Sequence, residues 1–170
     1  MEVDKAKLNL LKVENYKSVP FVNLQQLYEF EFSPITGYEL NKLGLYEQEE
    51  IKKSWCKQGI DVYVLYYSNQ PIGFTVVNLG GMIDGQPGVR DIAEFFVMPA
   101  FRNNHIGEWM AHQIFSLYEY RWEVRQLPGL VGVRKFWNKV IDHYTQGDYE
   151  ELELSDDRWE GSVQRFSGKR

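Results

Sequence analysis

The chain has 170 residues, 44% apolar and 15% aromatic, which suffices for one sizeable core, so residues 1–170 are expected to form a single domain. Its 19 Lys and Arg against 24 Asp and Glu leave a net charge of -5, and this argues against general affinity for nucleic-acid phosphates, which needs clustered cations. Cys56 is the only cysteine, and His105, His112 and His143 show no metal-ligand spacing, so neither an intrachain disulfide nor a metal site is expected, and Cys56 reads as a partly buried thiol.

Met1 to Lys5 lacks the basic-then-apolar order of a signal peptide, and no run of about 18 uncharged apolar residues occurs, so no membrane association and a cytoplasmic location are expected. In chain order, Leu8 to Val13 reads as a first strand. Phe21, Leu24, Leu27 and Tyr28 then recur at helical spacing behind Ser18 and a first-turn Pro20. Ser33-Pro34 and Gly37 are expected to break this helix, and Tyr38 to Lys53 to hold a second helical piece interrupted near Gly44.

Asp61 to Tyr67 alternates, with Val62, Val64 and Tyr66 on one face, and Asn69-Gln70-Pro71 turns it into Ile72 to Leu79, a hairpin. The glycine-rich loop Gly80 to Gly88 leads to a strand over Val89 to Met98, closed by Pro99. A helix over Ile106 to Tyr118, a strand over Arg121 to Leu127, and a helix over Gly132 to Tyr144 with Val133, Phe136, Trp137, Val140 and Ile141 inward come next. Tyr149 to Leu154 and Gly161 to Phe166 are late strands, free to close the sheet or to pair with a second subunit as a homodimer. The order predicts an α/β (α+β) fold with a mixed sheet covered by helices on both faces.

The segment Glu94-Phe95-Phe96-Val97-Met98-Pro99-Ala100-Phe101-Arg102-Asn103-Asn104-His105-Ile106-Gly107-Glu108 joins the end of a strand to the start of a helix. It resembles the acetyl-coenzyme A motif of the GNAT superfamily, a strand ending in V-x-P followed by R-x-x-G-x-G. Val97, Pro99, Arg102 and Gly107 match, whereas His105 stands at the first motif glycine and Asn103-Asn104 replace frequent basic residues. A turn entering a helix offers free N–H groups and the positive helix end to a pyrophosphate. Downstream, Trp122-Glu123-Val124-Arg125-Gln126 and the helix bearing Phe136-Trp137 resemble the family's second motif, with Leu130, Val133 and Trp137 in place of the usual Asn, Ala and Tyr. The resemblance covers about Asp61 to Tyr144.

That resemblance implies the acyl-coenzyme A N-acyltransferase fold, with a mostly antiparallel sheet of six or seven strands. It implies acetyl-coenzyme A as co-substrate, no metal, and an amine acceptor, with a small molecule favoured. Main-chain groups of Phe95, Phe96, Val97 and Met98 would meet the pantetheine arm, Arg102, Asn103, Asn104, His105, Ile106, Gly107 and Glu108 the phosphates, and Trp137 the thiol end. An amine of pKa about 10.4 needs deprotonation, costing roughly 4–5 kcal/mol at neutral pH. Glu94, an acid between apolar neighbours three residues before Val97, is the first candidate base. Its alternative reading is a surface carboxylate or a partner of Arg121 or Arg125. Glu123 and Asp91 follow by the family's analogy; Asp91 and Glu94 fall on opposite faces of a regular strand and come together only across a bulge.

Tyr144, Tyr118 and His143 are the conceivable acids for the leaving thiolate, since the indole of Trp137 cannot supply an acidic proton. Tyr28, Phe30, Phe32, Tyr38 and Tyr46 are expected mostly in the core, with Glu29, Glu31 and Glu39 either a solvated face or a lure for a cationic acceptor. Two other readings stand beside the enzyme: a GNAT-fold coenzyme A-binding or interaction module without chemistry, and a tRNA-acetylating toxin, which the net charge disfavours.

Overall fold

The structure, a computed structural model, describes residues 3–14, 18–46 and 59–168. Its elements run β1 (Leu8–Lys12), α1 (Val19–Thr36), β2 (Ile60–Tyr67), β3 (Gln70–Asn78), β4 (Val89–Val97), α2 (Ile106–Ser116), β5 (Arg121–Gln126), α3 (Val131–Thr145), β6 (Tyr149–Asp156) and β7 (Trp159–Ser167). The strands form one seven-stranded sheet in the order β1-β2-β3-β4-β5-β7-β6. Among the described residues only β4 and β5 pair in parallel; α2 crosses between them, as a parallel neighbour requires.

Alternation in the strands sorts the core into two layers. Phe21 and Leu24 of α1 cover Val62, Val64, Phe74, Val76 and Phe96 on one face. On the other, Ile114 and Phe115 of α2 and Trp137, Val140 and Ile141 of α3 pack on Val77, Ile92, Trp122 and Val124. The mixed sheet with helices on both faces is therefore as expected.

Three expectations fail. The helix α1 runs through Ser33-Pro34 and ends only at Gly37, whose φ of 70 places it in the left-handed region. Pro34 has no N–H for the Phe30 carbonyl, but the Ser33 hydroxyl donates to that carbonyl at 2.9 Å, so the last turn stays satisfied. The described part of the proposed second helix, through Tyr46, is a turn closed by a Leu40–Tyr46 bridge; the remainder and Cys56 lie outside the described residues. Phe30, Tyr38 and Leu27 face solvent, while α1 instead turns the polar Gln25 and Glu29 inward.

Hydrogen bonds and ion pairs pin the glycine-rich loop. Buried Glu123 accepts the N–H groups of Met82 at 2.9 Å and Ile83 at 3.2 Å, and Asp84 pairs with Arg158 and Arg165.

Candidate active site

The site begins with a fault in β4. Val76 pairs with Glu94 and Val77 with Ile92, so Ala93 is an extra, bulged residue. Asp91 stands opposite Asn78 and Glu94 opposite Val76, two residues apart on β3, and the bulge thus brings both acids to the α1 face. A regular strand would have separated them.

Past the bulge, β4 leaves β5: their pairing ends at Ile92–Val124. The Met98 N–H donates to the Ile72 carbonyl at 2.8 Å, and the Glu94 carbonyl accepts the Thr75 hydroxyl at 2.8 Å. Residues 94, 96 and 98 therefore direct their main chain at β3, and alternation turns that of Phe95 and Val97 into the widening gap. Met98, expected to offer its amide to a ligand, has it committed to β3.

A cavity of about 580 Å³ occupies that gap, within the usual size of ligand sites. All the residues expected to hold the coenzyme line it except Met98 and Asn104, and Glu31, Phe32, Phe136 and Lys139 join them. The side chain of Asn104 donates through Nδ2 to the Arg102 carbonyl at 2.9 Å. At its floor Phe95 meets Trp137 edge-on at 4.8 Å and Phe136 at 6.0 Å; Trp137 is thus core and wall together. At its head lies the N-terminus of α2. His105 caps it with φ 58, and Asn103 has φ 60, so both hold left-handed geometry that glycine would adopt without a steric cost. The motif's Gly107 is explained by packing, because a Cβ there would lie 3.1 Å from the Phe136 ring.

Arg102, Glu31, His105 and Glu108 at the cavity are already engaged in ion pairs. Arg102 grips Glu31 of α1 with both terminal nitrogens, at 2.6 and 2.7 Å, and its Nε donates to the Val97 carbonyl at 2.8 Å. Glu108 bridges His105 at 3.0 Å and His143 at 2.8 Å. Partial burial opposes ionisation of Glu108, yet the hydrogen bonds from the two imidazoles outweigh it and hold the carboxyl down at about 2.

The three candidate bases meet different fates. Asp91 is fully buried, and Arg125 clasps it through Nε at 2.7 Å and a terminal nitrogen at 3.0 Å, with the Asn78 amide donating as well at 3.0 Å. Burial still pushes its carboxyl up. Glu123 is occupied by the loop amides and by Arg165 at 3.0 Å. Glu94 is paired with neither Arg125 nor Arg121, which binds Gln86 instead. Among the described residues the only hydrogen bond to its carboxylate comes from the Tyr28 hydroxyl of α1. Burial raises its carboxyl to about 7, against the opposing pull of the Tyr28 hydrogen bond.

Of the candidate acids, Tyr118 donates to Asp61 at 2.6 Å and contacts Tyr63 at 2.7 Å, and burial drives its hydroxyl well above the ordinary phenol range. Neither it nor Tyr144 lines the cavity, and His143 belongs to the Glu108 bridge. Sequence reasoning missed Lys139 and the pairing of Tyr28 with Glu94, and it named Phe32 only within an aromatic group expected mostly in the core. Tyr28 and Phe32 are one turn apart on α1, and Lys139 stands three residues after Phe136, so helical spacing carried a signal for each.

No protein-family model matches the chain, and no curated protein matches it in sequence. Solved structures do match its fold. A GNAT-family protein of Desulfovibrio desulfuricans superposes with a TM-score of 0.63 at 7% identity, over 95% of this chain and 99% of that one. An N-acetyltransferase of Thermoplasma acidophilum in complex with coenzyme A gives 0.57 at 10% identity, over 94% and 98%. An aminoglycoside acetyltransferase from an uncultured soil metagenomic sample, in complex with sisomicin, gives 0.58 at 15% identity, over 80% and 88%. The chain has the GNAT fold.

Proposed function

We propose that this protein is an acetyl-coenzyme A-dependent N-acetyltransferase acting on a small primary amine. The observation that carries the reading is the bulged and splayed β4, which leaves the Phe95 and Val97 main chain facing a cavity headed by the α2 N-terminus. The residues present suit the coenzyme. The first amides of α2 and the positive helix end favour a diphosphate. The free edge of β4 offers hydrogen bonds to a pantetheine amide, and the apolar Phe95, Phe136 and Trp137 give its chain a dry wall.

The chemistry follows from the two sides of β4. Glu94, on the α1 face, takes a proton from the acceptor ammonium. The freed lone pair forms a C–N bond to the thioester carbonyl carbon, the C–S bond breaks with its electron pair on sulfur, and the second nitrogen proton neutralises the thiolate through solvent. A main-chain N–H of Phe95 or Val97 polarises the carbonyl, a contribution typically worth about 2.7–4 kcal/mol. Asp91 and Glu123, each tied to an arginine, hold the strands that carry this arrangement. The likeness to a sisomicin-bound acetyltransferase is compatible with a cationic small-molecule acceptor, which the partly buried Glu94 and the buried Glu29 would also favour.

The test is thiol release from acetyl-coenzyme A across a panel of aminoglycosides, polyamines and amino acids, beside calorimetry with coenzyme A. Amine-dependent, sustained release is expected; no heat with either coenzyme form overturns the reading. A second reading, a coenzyme-binding module without turnover, is favoured by one observation, the engagement of Arg102 by Glu31. Binding without thiol release would select it.

A further inference from the structure

The hydroxyl of Tyr28 reaches across from α1 to a carboxylate on the central strand, and the surroundings define what it can do there. Its ring is fixed on three sides: it tilts against Phe32 at 4.4 Å and meets Phe74 at 5.6 Å and Phe96 at 6.0 Å edge-on. The hydroxyl donates to Oε2 of Glu94, and among the described residues no hydrogen bond reaches Oε1. Resting on the acetyl-transfer reading above, we propose that Tyr28 is a positioning residue, which anchors one oxygen of Glu94 and leaves the other free to receive the proton of the acceptor ammonium.

The physical argument has two parts. A glutamate has three rotatable bonds, and a phenol held by three aromatic neighbours fixes the carboxylate without adding a charge. The groups facing Glu94 are otherwise unfriendly to its ionised form: Glu29 on α1 and Asp91 on β4 repel it, and Arg125 on β5 attracts it from beyond Asp91, to which it is bound. A hydrogen bond donated to the ionised form is the neutral device that keeps the carboxylate available. Tyr28 cannot act as the acid instead, because burial and the adjacent Glu94 drive its hydroxyl far above the phenol range.

Tyr28→Phe removes the donor while keeping the ring in its aromatic nest. The experiment follows the carboxyl carbon of Glu94 by 13C NMR through a pH titration, the signal being assigned by its loss in Glu94→Gln. The same variants are titrated with coenzyme A and assayed for pH-dependent turnover with the best amine of the panel. Loss of the hydrogen bond should move the Glu94 midpoint upward by about one pH unit, lowering kcat about tenfold on the acid limb. Recovery is expected at high pH, with coenzyme affinity unchanged. An unmoved Glu94 signal overturns the proposal, even if Tyr28→Phe lowers thermal stability. If no amine is turned over, acetyl transfer fails as a reading and Tyr28 loses its part in it, whereas a shifted signal would still establish the hold on Glu94.

Discussion

Glu94 is an acid whose burial works against its own ionisation, and the cost can be read from the folding equilibrium. In the unfolded chain it titrates near its ordinary 4.5, in the native state at about 7. Between those values the native state holds the extra proton, so this group's contribution favours folding at low pH and is lost as pH rises toward 7. Glu94→Gln should therefore be more stable than the parent at pH 8, with the advantage gone by pH 4, in paired thermal melts. Its turnover should fall about 10²–10⁴-fold, as for loss of a general base, with coenzyme affinity intact. His105 illustrates a different strain. Glycine at that left-handed position would relieve about 1 kcal/mol and open the head of the cavity, against a smaller loss from the exposed pair with Glu108. His105→Gly is expected to raise coenzyme A affinity in calorimetry; unchanged or weaker binding would mean that His105 is no obstacle to the phosphates.

At the scale of elements, β4 carries the design. The glycine-rich loop before it and the closing Pro99 made the strand over Val89 to Met98 legible, and Val97, Arg102 and Gly107 marked the turn into α2. The extra residue at Ala93 was not legible, since a bulge depends on how β3 and β4 pair and leaves no composition signal of its own. Nor was the passage of α1 through Pro34 foreseen, because it depends on the Ser33 hydroxyl choosing the Phe30 carbonyl. The Asp91–Arg125 pair holds the bulged strand to its neighbour on the α1 face. Asp91→Ala would leave the partly buried guanidinium without its carboxylate, and a loss of about 3–5 kcal/mol is expected in urea unfolding, as for other broken buried pairs. Asp91→Asn, which keeps the shape, should cost less.

On the scale of the molecule, the sheet order could be narrowed from the sequence by its hairpins and crossovers, but β7 lying between β5 and β6 could not. That arrangement makes β6 the outer edge, opposite to β1. The β6 strand carries Glu150, Glu151 and Glu153; Arg134 of α3 pairs with both Glu151 and Glu153, and the negative charge left in excess along this open edge opposes pairing with the same edge of a second copy. Size-exclusion chromatography at neutral pH is therefore expected to give a monomer, with no dimer joined through β6.

The Arg102–Glu31 bridge bears on how the nucleotide would respond to its medium. A diphosphate that takes the guanidinium must win it from a carboxylate, so binding exchanges one ion pair for another rather than creating a new one. Added electrolyte weakens the incumbent along with the newcomer. Affinity should accordingly fall less with ionic strength than the ligand's own charge would suggest, and Glu31→Gln, which vacates the arginine, should steepen that fall.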